Sequence, residues 1–324
     1  MGGAPQGIGG SRGAEGRIVT DPVASGILSR YQRYGWSEPE GEWGFVQSAG
    51  RTMLRAALGA GDADALHSLL ADSFFSLCGG IGSNTEPTPE VVGRVGWSWA
   101  LSVAPWKDLA RRGAVDVGDV LTPVMHGRVV ASLDTPRHDH YAHQIMRYLP
   151  DGGTLLEIGG GYGGVARQLY ARGSVVRVVL CDLPETLYLA WYYLSETTGL
   201  RIAWWDDDPG ADVVLVPDFD LRAWAGKPDM MFAAHSLSEM PHDVARGYLA
   251  WASEQGVQYI YSDNAAWVTP APPGGERNLC ELYPEVSMGD LVPPGPYVER
   301  WRRQIHWDLP EPRYVEAFYE RVEP

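Results

Sequence analysis

The sequence predicts an α/β fold, a doubly wound and mostly parallel sheet with a C-terminal antiparallel hairpin, preceded by a helical N-terminal section. Three observations predict it. After Pro150 come five short, nearly continuous apolar runs: TLLEI, VVRVVLC, DVVLV, MMFAA and VQYIY. Helix patterns lie among them, GVARQLYARG, ETLYLAWYYLSETTG and DVARGYLAWASEQG, and apolar strands alternating with helices require a parallel sheet covered on both faces. The closing stretch YVERWRRQIHWDLPEPRYVEAFYERV sets two strand-like segments around a Leu309-Pro310-Glu311-Pro312 turn, which adds a hairpin at one edge.

In chain order, residues 1–20 open with MGGAPQGIGGSRGAEG. Glycine loses the most entropy on ordering and little apolar surface here offsets that, so a flexible tail is expected. From 21 to 150 the patterns are helical: MLRAALGA, then ADALHSLLADSFFSL with Leu66, Leu69, Leu70, Phe74 and Leu77 at three- and four-residue spacing. This section is expected to cover a substrate or to form a homodimer contact, with Trp97, Trp99 and Trp106 as core or as a binding wall. Residues 151–324 form the second unit, in line with about 150 residues per domain.

Bulk properties exclude several classes of function. The 324 residues carry a net charge of -15 and no basic stripe, so nucleic acid is not an expected partner. No apolar window approaches the roughly 18 residues of a membrane span, and the opening lacks a secretory signal, which makes the cytoplasm the expected location. Cys78, Cys181 and Cys280 stand far apart without CxxC spacing, arguing against a disulfide framework or structural zinc.

The stretch LLEIGGGYGGVARQL crowds five glycines into the six positions 159–164, between the first apolar run and a helix. In such sheets the first strand-to-helix turn lets a ligand approach the backbone. Gly159, Gly161 and Gly164 satisfy G-x-G-x-x-G, a weak pointer to a dinucleotide. Asp182 ends the second run, 21 positions after Gly161, where a carboxylate accepts from ribose hydroxyls. NAD and S-adenosylmethionine both carry such a ribose. Glu157 discriminates: a carboxylate at this strand end repels a pyrophosphate and suits the cationic amino-acid portion of S-adenosylmethionine, since burial without a compensating partner is costly.

Glu157 to Gly164 resembles the first motif of class I S-adenosylmethionine-dependent methyltransferases, a Rossmann-like family. Together with CDLPETLYLAWYYLS and AAHSLSEMP, it resembles more narrowly the bacterial sugar O-methyltransferase family, over about residues 121–261. PVMHGRVV and the RHDHYAHQI helix are a looser echo upstream. The resemblance implies S-adenosyl-L-methionine as cofactor, with Glu157, Gly159, Gly161 and Gly163 at its methionine and ribose portions. It implies Asp182 and Leu183 at the ribose and one adenine edge. Asp218 and Phe219, after DVVLV, are candidates for the adenine amino group and ring, Phe219 equally for core. The acceptor it implies is a small-molecule sugar or glycosylated compound.

A sugar hydroxyl is a poor nucleophile until deprotonated, which calls for a general base, most often histidine. His235 follows MMFAA at the expected sheet end, with Glu239 and His242 close behind; of these, His235 and Glu239 are the catalytic candidates. The other reading of Glu239 is a helix start at SEMP, with Pro241 in the first turn. Arg137, His138 and Tyr141 are candidate substrate contacts, because their helix leads into the cofactor strand. Of His138, His140 and His143 only His140 and His143 share a helix face, and that pair lacks a third convergent ligand for a metal. Asp263-Asn264 is similar to the magnesium pair of catechol-type O-methyltransferases, but Ala234 stands where those enzymes need an aspartate; no metal is expected. Asp206-Asp207-Asp208 reads as a solvated loop. The Pro-rich segment 269–296 is expected to cover the acceptor pocket, and Trp267, Arg277 and Tyr283 suit a sugar. A phenol or amine acceptor relieves the need for a strong base. A nicotinamide oxidoreductase and a binding protein with a vestigial site are the readings from other classes.

Overall fold

The computed structural model describes residues 21–37, 49–78, 122–124, 129–131, 134–265, 292–305 and 314–322. The N-terminal tail, Trp97, Trp99, Trp106, Trp267, Arg277, Cys280, Tyr283 and the turn at 309–312 lie outside them. Six strands run parallel: β3 (Thr154–Ile158), β4 (Arg177–Asp182), β5 (Ile202–Trp204), β6 (Val213–Pro217), β7 (Met230–Ala234) and β8 (Tyr259–Ala265). The expected hairpin consists of β9 (Tyr297–Ile305) and β10 (Tyr314–Arg321), and β10 pairs antiparallel with both β9 and β8. The sheet order is β5-β6-β4-β3-β7-β8-β10-β9. Order and reversed strand together match the class I methyltransferase fold.

Sequence reading missed β5. Three residues are too few to show a period, and Ile202–Trp204 holds its place by pairing with β6 and by the fully buried Trp204. Further upstream, β1 (Thr122–Val124) and β2 (Val129–Ala131) form an antiparallel ribbon inside the section read as helical; their valines favour extended backbone.

Strand side chains alternate between two cores. Leu155, Val178, Leu180, Leu215 and Phe232 face one, and Leu156, Ile158, Val179, Val216 and Met231 face the other. The first is covered by α4 (Thr135–Tyr148), α5 (Gly164–Ala171) and α6 (Pro184–Thr197), the second by α7 (His242–Glu254). Outside α6 lie α1 (Pro22–Tyr34), α2 (Ala49–Ala60) and α3 (Ala63–Leu77). Ile27, Leu54, Leu66 and Phe74 belong to the same core as Leu155 and Leu187, so the described N-terminal helices and the sheet bury one continuous apolar interior.

Capping starts the outer helices. The Asp21 carboxylate accepts from Val23 N and Ala24 N at 2.8 Å each, with Pro22 opening the helix. Asp62 does the same for Asp64 N and Ala65 N at 3.0 Å. Each cap contributes about 1 kcal/mol. Gly35, at φ 71°, ends α1 and turns the chain back toward the sheet.

Candidate active site

Parallel register brings the carboxyl ends of the strands to one rim. Ile158 lies opposite both Cys181 and Ala233, Asp182 opposite Pro217, and Ala234 opposite Asp263. Glu157, Asp182, Asp218, His235 and Asp263 therefore meet although they are spread over more than a hundred positions. A cleft of about 690 Å³ opens at this rim, within the roughly 300–1,000 Å³ of small-molecule sites. It is lined by Glu157, Gly159, Gly161, Asp182, Leu183, Asp218, Phe219, Arg137, His138, Tyr141, His235 and Glu239.

The glycine turn is required by chain packing as well as by any ligand. Gly159, Gly161 and Gly163 have φ of 71°, 56° and 85°, a region that side chains disfavour. A Cβ on Gly159 would come within 2.4 Å of Ser236 Cβ, just past the neighbouring tips of parallel β3 and β7. Behind the turn, a Cβ on Gly164 would lie 2.1 Å from His138 Nδ1.

Three carboxylates mark one side of the cleft. Glu157 is 5% exposed and its Oε2 has no hydrogen-bond partner. Burial, reinforced by Asp182, pushes its pKa up to about 8. Asp182 accepts from Gly161 N (2.8 Å) and Leu183 N (2.7 Å); burial outweighs these bonds and raises it to about 7. Asp218 Oδ1 is buried without a partner, and burial raises that carboxyl too. Phe219, for which core was an equal expectation, is 58% exposed and faces the cleft.

These shifts make the ligand-free protein sensitive to pH. Both folded pKa values lie above the unfolded ones, so the folded state binds more protons and loses stability as pH rises through about 7 and 8. His138, pushed down to about 4 by burial, and His235 act in the opposite sense, but only below 6.5. Between pH 6.5 and 8.5 the melting temperature is therefore expected to fall, and to fall less in Glu157→Gln; an equal fall in both proteins removes Glu157 as the source.

The other side carries the basic groups. His235 is the one non-glycine described residue with positive φ, 51°, a strain that persists where surrounding structure over-determines it. Its N–H donates to Asp263 O at 2.8 Å, and its ring lies on Tyr314 with centroids 4.1 Å apart. Arg137 Nη1 stands 3.3 Å from its Nε2. A guanidinium only donates, so Nε2 accepts and the ring proton is on Nδ1. Burial, then Arg137 and His138, hold His235 well below the ordinary histidine range. Arg137 also pairs with buried Asp134 at 2.5 Å. Glu239 ends a 3-10 turn, Leu237–Glu239, and Pro241, expected in the first helical turn, stands one residue before α7 at the N-cap position.

Other expected residues are engaged. The buried Tyr141 hydroxyl donates to Asp263 Oδ2. Asn264 accepts from Ser236 N (3.2 Å) and Ser238 N (3.3 Å) and donates to Ala233 O (3.1 Å), tying β7 to β8. His140 turns away from the cleft to Glu316 at 2.7 Å. Burial alone would raise Glu316, but its bonds to His140, Arg303 and Tyr261 outweigh that and hold it down. Among the described residues no group of three or more His, Cys, Asp or Glu could hold a metal ion. No described helix is long and apolar enough to cross a membrane.

Two contributions were invisible in the sequence. The acidic run 206–208 is a solvated loop only in part: Asp206, 13% exposed, is an ion-pair partner of Arg30 (3.1 Å) and Arg33, whereas Asp207 and Asp208 are about half exposed while pairing with Arg30 and Arg201. Tyr34, bonded to Asp206, and Trp36 with Ser37, bonded to Glu185, line the cleft wall. No periodicity links α1 to a loop beyond residue 200.

No protein-family model matches the chain, and no curated protein does. Among solved structures it is similar to the magnesium protoporphyrin IX methyltransferase from Synechocystis PCC 6803 with bound SAH, at 13% identity over 59% of this chain and 84% of that one, TM-score 0.40. It is similar also to the glycopeptide N-methyltransferase MtfA complexed with S-adenosyl-L-methionine, at 15% identity over 57% and 94%, TM-score 0.41. A third is the pyocyanin biosynthetic protein PhzM, at 17% identity over 56% and 54%, TM-score 0.38. These likenesses are distant, and the reading of the cleft rests on its own side chains.

Proposed function

We propose that the protein is an S-adenosylmethionine-dependent methyltransferase acting on a small molecule. The observation that carries this reading is the buried, unpartnered Glu157 carboxylate beside the glycine turn. It suits the ligand's ammonium group, Asp182 suits the ribose hydroxyls, and Asp218 with Phe219 suits the adenine. A dinucleotide pyrophosphate would meet three acidic side chains there that offer it no positive charge, and Arg137 is the one Lys or Arg among the described lining residues. When bound, S-adenosylmethionine supplies a methyl group already activated on its sulfonium. The chain has then to align an acceptor, exclude water and manage one proton. Calorimetric titration with S-adenosylhomocysteine and with NADH tests the assignment; tight binding of NADH alone overturns it.

The acceptor we propose is a phenol, or a neutral amine, of a small natural product. A sugar hydroxyl, the expectation from the family resemblance, needs a base of ordinary strength. Burial and Arg137 take that strength from His235. The same guanidinium favours a phenolate by lowering the phenol's pKa. In this scheme Arg137 holds the anionic oxygen, His235 donates its Nδ1–H to the acceptor, and the phenol proton leaves to solvent. With saturating cofactor, turnover of a phenol should rise with pH toward the acceptor's own pKa, whereas catalysis by His235 as base would be flat above pH 6.5. Turnover of sugar hydroxyls, falling 10²–10⁴-fold in His235→Ala as expected for a lost general base, would restore the sugar reading.

A further inference from the structure

We propose that Tyr34, on the N-terminal helix, closes the nucleobase end of the cleft and stacks on the adenine opposite Phe219. The inference rests on the S-adenosylmethionine reading and extends the site to an element some 120 residues before the glycine turn. Tyr34 and Phe219 line the cleft together with Asp182, Leu183 and Asp218. Their ring centroids are 6.2 Å apart with a 50° tilt. Phe219 is 58% exposed, leaving apolar area that a ligand ring in the cleft would remove from water.

Tyr34 is held from behind. One face of its ring stacks on buried Trp204 at 5.0 Å and 20°, the Arg33 guanidinium carbon lies 5.1 Å from its centroid, and its hydroxyl donates to Asp206 Oδ1 at 3.2 Å. Asp206 is itself fixed by Arg30 and Arg33. Just beyond, Gly35 O accepts from Tyr188 OH at 2.9 Å. Ser37 N and Oγ donate to buried Glu185 at 3.2 and 2.7 Å, and Arg51 Nη2 joins the same carboxylate at 2.7 Å. Glu185 follows Asp182 by three positions, in the first turn of α6, so the helix that leaves the tip of β4 anchors the segment over the ribose acid. A ring between two aromatic faces needs roughly 7 Å, twice a carbon contact distance of about 3.5 Å. The exposed Phe219, on the 3-10 turn Asp218–Asp220, supplies the small outward movement, while Tyr34 stays in place.

The test is calorimetric titration of the full chain and three variants with S-adenosylhomocysteine. Tyr34→Phe keeps the ring and should bind like the unaltered protein. Tyr34→Leu, which keeps bulk against Trp204 without an aromatic face, and Tyr34→Ala should both bind about ten-fold or more weakly, the scale of base–aromatic stacking. Wild-type affinity in Tyr34→Leu overturns the stacking role, as does an equal loss in Tyr34→Phe, which would assign the effect to the hydroxyl bond with Asp206. Failure of the unaltered protein to bind S-adenosylhomocysteine overturns the cofactor reading itself, and this inference with it.

Discussion

Glu157→Gln is expected to weaken S-adenosylhomocysteine binding by about 100-fold or more, because truncating one side of a buried charge pair costs about 2–5 kcal/mol. The substitution keeps shape and removes charge. In the ligand-free protein Glu157, raised to about 8, is mostly protonated at neutral pH, and an arriving ammonium group draws it into the ionised form. Binding should therefore release protons. Affinity should rise as pH increases from about 6 to about 8, then level off, with a contribution from Asp182, raised to about 7. In Glu157→Gln the pH dependence should shrink to that of Asp182. Calorimetry in buffers of different ionisation enthalpy measures the released protons directly. Equal affinity in both proteins would exclude Glu157 as the cation's partner.

The second large effect concerns Arg137. Arg137→Met should lower turnover of a phenolic acceptor by about 100-fold, the scale of removing one donor from a developing oxyanion, and leave affinity for S-adenosylhomocysteine nearly unchanged. Its second signature separates this role from support of the fold. The rising limb of the pH–rate profile should move to higher pH, because the phenol is no longer acidified. Arg137→Lys keeps the charge beside Asp134 and should keep most of the profile's position. A profile that stays where it was in Arg137→Met assigns the guanidinium to structure, through its pair with Asp134.

Two ways of handling the same carboxylate chemistry coexist in this rim. Glu157 is buried without a partner and costs stability until a ligand arrives. Glu316, equally buried, accepts from His140, Tyr261 and Arg303 and is complete within the protein. The first arrangement reads as a binding site and the second as a fixed support beneath it, since buried polar groups that serve the fold are satisfied by the fold.

Local chemistry was legible along the chain. The apolar runs, the glycine turn, Glu157, Asp182 and the closing hairpin could be read because each depends on neighbours within a strand, a turn and a helix, where periodicity and backbone sterics act over a few residues. Long-range pairing was not legible. Tyr34 lines the cleft bonded to Asp206, whose ion-pair partner Arg30 lies 176 positions away, and the low basicity of His235 comes first from burial and then from Arg137, 98 positions earlier. Burial and electrostatic neighbours are properties of the folded arrangement. A strand's own residues announce its carboxylate, but only the elements packed around it set whether that group is charged, paired or waiting for a ligand.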